Sequence, residues 1–179
     1  MRKMFVVVGL VALALPVAAF ADDGTGEGSS PAAACRAEQA AMGADAFKTA
    51  YGTNADKSNA FGKCVAKKAT GRTKSHSNAV SACRAEQADT AFADSHDGKT
   101  FDQFYGTGKR GNNAFGKCVS SKAKESNDAA DAAVVNAART CKTERAADPA
   151  AFRAKYGKNT RRSNALGKCV SQAAKTKTP

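Results

Sequence analysis

Beyond one short uninterrupted apolar run at residues 5–18, the hydrophobic positions of this chain follow a single pattern that occurs three times. Phe and Tyr stand four residues apart at Phe47 and Tyr51, at Phe101 and Tyr105, and at Phe152 and Tyr156. Residues so spaced share one face of a helix. Each pair is followed by an apolar stripe of Phe (or Leu), Cys and Val: Phe61, Cys64 and Val65; Phe115, Cys118 and Val119; Leu166, Cys169 and Val170. Each is preceded by another cysteine, Cys35, Cys83 or Cys141. In the third copy Val134, Ala138 and Cys141 lie at i, i+4 and i+7, again one helical face. Polar residues fill the intervals, and no run alternates with the period of a strand. The pattern predicts an all-α chain of three tandem units, about three helices each.

The second half of each unit is rigid in length. From Phe to the second Cys is 17 residues in every copy, while from the first Cys to Phe is 12, 18 and 11. Insertions are tolerated in loops and not inside packed elements. A loop therefore belongs between the first Cys and the Phe. In copy two it carries the extra Asp94-Ser95-His96-Asp97-Gly98. The landmarks are C-x-x-E, F-x-x-x-Y-G and N-A-(F/L)-G-K-C-V, and they place the units at residues 31–70, 77–124 and 128–175. Ser30-Pro31 and Asp148-Pro149 read as helix starts, with the first residue at the N-cap and Pro at N1. The Gly after each Tyr reads as a helix end. The third helix of each unit is expected to start with Ser58, Asn112 or Ser163 as N-cap. Residues 123–128 contain no Gly or Pro, so one helix could run from unit two into unit three. Gly71 argues for a looser joint between units one and two.

The leading segment changes the picture of compartment. Arg2 and Lys3 precede the apolar run, and Ala19-Phe20-Ala21 supplies small residues at the −3 and −1 positions. This is the pattern of a secretory signal peptide over residues 1–21, with cleavage after Ala21. The run is shorter than the roughly 20 residues that span a bilayer, and no later run could cross one. A secreted or extracytoplasmic protein is therefore expected. Residues 22–30, rich in Gly, Ser and acid, read as a flexible linker.

The mature chain has no Trp, few large aliphatics and much Ala. Such a chain fills several small cores better than one thick one, and small cores usually need staples. Six cysteines in an exported chain point to disulfides. With one cysteine on each outer helix of every unit, the repeat favours Cys35–Cys64, Cys83–Cys118 and Cys141–Cys169 among the many connectivities that six allow. Closing a loop of about 30 residues stabilises by about 3–4 kcal/mol. No C-x-x-C pair occurs, and His76 and His96 lie outside the repeated pattern, so no metal is expected.

The Gly inside the third helix (Gly62, Gly116, Gly167) costs about 1 kcal/mol relative to Ala. Close approach by another helix, or a kink there, would account for it. Glu38, Glu86 and Glu144 are placed to reach Lys63, Lys117 and Lys168 if the cysteines pair within units. His96 lies in a polar turn around Asp97-Gly98, where sequence neighbours do not form a catalytic triad. No nucleotide-binding, metalloprotease or serine-hydrolase motif occurs. No catalytic residue and no cofactor are expected.

Charge adds a direction to the functional reading. The chain carries 28 Lys and Arg against 16 Asp and Glu, two of the basic residues lying in the leader. Residues 139–179 hold 11 of the basic and 2 of the acidic residues. An excess confined to one unit suggests a basic face for a polyanionic partner. Lys155, Lys158, Arg161 and Arg162 cluster around the loop before the last helix, and Lys175 and Lys177 extend the tail. Outside the cell, the candidate partners are anionic envelope polymers and anionic lipid surfaces. Nucleic acid is the weaker candidate, because every aromatic already holds a core position. The competing functional class is a cationic secreted effector acting on anionic membranes. The Ala-rich helices lack the bulky apolar face such an effector uses.

The units resemble a tandem two-cysteine helical repeat of exported bacterial proteins of unknown function. Copy three, from Cys141-Lys142-Thr143-Glu144 through Phe152 and Tyr156-Gly157 to Asn164-Ala165-Leu166-Gly167-Lys168-Cys169-Val170, carries the resemblance most fully. It implies secretion and tandem copies, and it brings no activity, substrate or site residue. The reading is an exported, non-enzymatic binding or structural protein of the cell envelope or secreted space.

Overall fold

The computed structural model describes residues 30–108 and 110–176, so the expected signal peptide over residues 1–21, residues 22–29 of the expected linker and Lys177 lie outside the described residues. Among the described residues the chain is helical with no strand. In chain order the helices are α1 (Pro31–Met42), α2 (Ala44–Tyr51), α3 (Ala60–Ala88), α4 (Phe92–Ser95), α5 (Phe101–Tyr105), α6 (Ala114–Ala147), α7 (Pro149–Tyr156) and α8 (Ala165–Lys175). The disulfides are Cys35–Cys64, Cys83–Cys118 and Cys141–Cys169, each within one repeat and each with 6.0 Å between Cα atoms.

Local chemistry explains the helix starts. The Ser30 hydroxyl accepts from the Ala33 amide ahead of Pro31. The Asp148 carboxylate accepts from the Ala150 and Ala151 amides ahead of Pro149. Both satisfy amides that the first helical turn leaves unpaired. The starts of α3, α6 and α8 differ from expectation. Their N-caps are Asn59, Asn113 and Asn164, one residue later than Ser58, Asn112 and Ser163, and none caps through its side chain. Each Asn Oδ1 instead accepts, at 3.0 Å, from the amide of the residue six positions earlier: Thr53, Thr107 and Lys158. The repeated Asn therefore closes the loop that follows Tyr-Gly. Within that loop Lys57, Gly111 and Arg162 are left-handed, with φ of 58°, 62° and 50°. The Gly after each Tyr does end its helix, but with ordinary negative φ. Its lack of a side chain matters for space: a Cβ on Gly52 would lie 2.4 Å from the Lys57 Cβ, and one on Gly157 2.5 Å from the Arg162 Cβ.

The third helix of each of the first two units continues into the first helix of the next. α6 runs through residues 123–128, as their composition allows. α3 also runs unbroken through Gly71, where a looser joint was expected. The neighbouring helix compensates for the glycine. Lys68 and Arg72 reach Asp131 of α6 at 2.7 and 3.2 Å, and Ser75 meets Ser126 at 3.3 Å. These contacts, with Cys83–Cys118 further along, pair rising numbers on α3 with falling numbers on α6, so the two helices are antiparallel. At 1.5 Å per residue they are about 44 and 51 Å long.

The result is a long helical hairpin with repeat two at its tip and repeats one and three side by side at its base. Repeat two has its own small core of Ala79, Cys83, Phe92, Phe101, Ala114, Cys118, Val119 and Ala123. Phe92 of α4 joins this core from just before the inserted residues, which place His96 against its ring and turn at Asp97 and Gly98. Repeats one and three share a single core. Phe47, Met42 and Ala60 of the first pack with Ala137, Ala138, Phe152, Leu166 and Val170 of the third, around both disulfides. The substitution of Leu for Phe in copy three lies at this junction. Leu166 is buried, whereas Phe61 and Phe115 at the same repeat position are half-buried.

Candidate functional site

Each repeat holds its C-x-x-E glutamate in the same way, and not by the lysine before the second cysteine. Lys63, Lys117 and Lys168 are exposed. The Tyr of F-x-x-x-Y-G donates its hydroxyl to the glutamate in all three copies: Tyr51 to Glu38, Tyr105 to Glu86 at 2.8 Å and Tyr156 to Glu144 at 3.0 Å. A cation completes each set. In copies one and two it lies one helical turn after the second cysteine, Lys68 for Glu38 and Lys122 for Glu86 at 2.8 Å. Copy three has Ala173 at that position, and Lys155 from α7 takes the place at 2.8 Å from Glu144.

The three sets differ in depth. Glu38 is fully buried under α6, whose Asp131 extends the pair into a chain of alternating charges: Glu38, Lys68, Asp131 and Arg72. Burial is the foremost cause that pushes the Tyr51 hydroxyl above its ordinary value, and Glu38 adds to it. In repeat two, burial alone would raise the Glu86 carboxyl, but hydrogen bonds from Lys122 and Tyr105 outweigh it and hold the carboxyl below its usual range. Glu144 is held low by the Lys155 hydrogen bond, and Lys155 is raised correspondingly. The Lys155 ammonium also lies 4.9 Å from the Tyr156 ring centre. Lys155 is therefore already matched by a carboxylate.

Lys158 and Arg161 are exposed on the loop before α8, and Lys175 is in the last turn of α8. Arg162, whose backbone is left-handed, lies at the seam between repeats one and three. There the structure opens a groove of ≈ 640 Å³. Lys142 and Arg145 of α6, Arg153 of α7 and Arg162 line it, and Asp45 of α2 is its single carboxylate. None of these five belongs to an ion pair among the described residues. The floor is apolar, formed by Phe152, Leu166 and Ala165. Two helices, a loop and a facing repeat are needed to assemble it. Lys142, Arg145 and Arg153 are part of the charge excess in the sequence, but their convergence depends on the first repeat being alongside.

Gly167 marks the same seam. A Cβ there would be 3.4 Å from that of Ala50 on α2, the close approach expected of a helical glycine. Gly62 and Gly116 meet nothing within 4 Å, so close approach does not account for them.

The histidines are placed apart from the groove. His96 stacks on Phe92 with ring centres 3.7 Å apart, and its Nδ1 lies 2.7 Å from the Phe92 carbonyl. A core position was expected for every aromatic, but Phe104, packed edge-on against His96, is a large hydrophobic side chain left exposed among the described residues. His76 is exposed on α3. Among the described residues no group of three or more His, Cys, Asp or Glu side chains is arranged to hold a metal ion, and no helix is long and apolar enough to cross a membrane. Comparison of the chain with protein-family models, with curated proteins and with solved structures finds no match.

Proposed function

We propose that this chain is an exported, non-enzymatic binding or structural protein of the cell envelope or secreted space, and that its third repeat contacts a polyanion. One observation carries the reading. Lys142, Arg145, Arg153 and Arg162 line one groove and none of them forms an ion pair, while Lys68, Arg72 and Lys122 beside the buried glutamate sets are each paired. Unpaired cations converging on one concavity hold a positive potential that attracts polyanions. Three disulfides and the leader pattern support a site of action outside the cytoplasm. The resemblance to exported two-cysteine repeats points the same way.

The test is binding of the oxidised mature protein to anionic polymers and to anionic vesicles across a salt series. It is run beside a variant carrying Lys142→Gln, Arg145→Gln, Arg153→Gln and Arg162→Gln. Truncation before Arg139 is unsuitable, because it would remove half of the shared core. Binding that weakens with salt and is lost in the variant is the expected result. No binding at low salt, or equal binding by both proteins, would overturn the reading.

A further inference from the structure

The groove between the first and third repeats has two unlike walls. Lys142 and Arg145 stand at i and i+3 on α6, with Arg153 and Arg162 beside them, so one wall is cationic. Asp45 and Thr49 stand at i and i+4 on α2 and form the other. Asp45 forms no ion pair with any of the four cations. Three of the four cations are arginines, whose planar forks match the oxygens of a phosphate group. The Arg153 Nε donates to the Pro149 carbonyl at 3.0 Å, which holds that guanidinium in place. A concave channel of this volume admits a chain. A flat layer of lipid headgroups would touch only its rims.

We propose that the groove seats a flexible polymer bearing phosphate groups, threaded between repeats one and three, so that the first repeat takes part in binding. This rests on the anionic contact proposed above and goes further in naming the seat and the chemistry. The geometry makes Asp45 and Thr49, which lie outside the basic repeat, determinants of affinity. Asp45 sets a negative charge against the incoming chain, and Thr49 sets the width of the opening.

The test uses the full mature, oxidised protein and medium-length inorganic polyphosphate as the probe, followed by calorimetry at low salt. Thr49→Trp narrows the groove without changing charge and is expected to weaken binding about tenfold. Asp45→Asn is expected to tighten it about threefold. Asp45 is exposed, so this second variant keeps the test valid should Thr49→Trp perturb folding. Polyglutamate of matched charge is expected to bind more weakly than polyphosphate. Equal binding would overturn the phosphate assignment. Salt-dependent binding by the wild type that neither variant alters would overturn the groove and leave the broader anionic contact standing. Anionic phospholipid vesicles bound as tightly as polyphosphate, with no effect of Thr49→Trp, would assign the contact to a flat surface instead. No binding of any probe would overturn both proposals together.

Discussion

Lys68 and Lys122 hold the same position in the repeat, and the structure predicts very different consequences of removing them. Lys68→Met leaves the methylene stem and deletes the charge that faces Glu38. Glu38 is fully buried, and its remaining partner is the Tyr51 hydroxyl, with Asp131 nearby as a like charge. Leaving one member of a buried pair uncompensated costs about 3–5 kcal/mol. The expected loss is therefore about 3 kcal/mol at pH 7. Lys122→Met removes the partner of Glu86, whose side chain is 29 % exposed, so water replaces much of the lost interaction and the expected cost is about 1 kcal/mol or less. Urea unfolding of the oxidised protein, followed by helical ellipticity, measures both. With an m-value of about 2 kcal/mol/M, Lys68→Met should lower the midpoint by about 1.5 M and Lys122→Met by about 0.5 M or less. Equal costs for the two variants would refute the assignment of Glu38 to a dry environment set by α6.

The shared core makes Leu166→Ala expensive, at about 2–5 kcal/mol in the same urea assay, whereas Phe61→Leu at the half-buried equivalent position should cost under about 1.5 kcal/mol. Gly52→Ala should destabilise by more than about 1 kcal/mol, since its Cβ would collide with Lys57 and with the Lys48 carbonyl, while Lys57→Gly should be stabilising by up to about 1 kcal/mol through relief of a left-handed non-glycine residue. Stability should form a plateau against pH. Glu86 and Glu144 have folded values below their unfolded ones, so their contribution is complete above the ordinary glutamate range and is lost as pH falls through the folded values. Tyr51, Tyr105 and Lys122 have folded values above their unfolded ones, so their contribution is complete below about pH 10 and is lost as pH rises through the folded values. Thermal midpoints measured from pH 3 to pH 11 check both edges, and a steady rise of stability across the alkaline edge would contradict the tyrosine–glutamate assignment.

Much of the local structure could be read from the residues. The four-residue Phe–Tyr spacing, the Ser30-Pro31 and Asp148-Pro149 starts, the Tyr-Gly ends and the cysteine pairing all depend on chemistry within a few turns or on repetition of the unit. The Asn of N-A-(F/L)-G-K-C-V was legible as a repeated landmark but not in its role. Only the folded loop shows that its side chain reaches back six residues to an amide and does not cap the helix ahead. The lysine partner of the glutamate was missed for a similar reason. A signal existed in copies one and two, where a Lys follows the second Cys by four residues, but Ala173 breaks it in copy three.

The repeated pattern established helices, their length limits and their staples, because these follow from spacing along the chain. It assigned the same environment to every copy, because the copies carry nearly the same residues. The differences among them arise from packing between distant segments. Asp131 lies 63 residues from Lys68, and its arrival makes Glu38 dry while Glu86 stays wet. Ala50 covers Gly167 and leaves Gly62 and Gly116 open. The first repeat stands against the third and turns a diffuse excess of charge into a groove. Burial depends on which surfaces meet, and that was settled by two long helices folding back antiparallel, a choice whose energetics are spread over contacts that no single stretch of the chain contains.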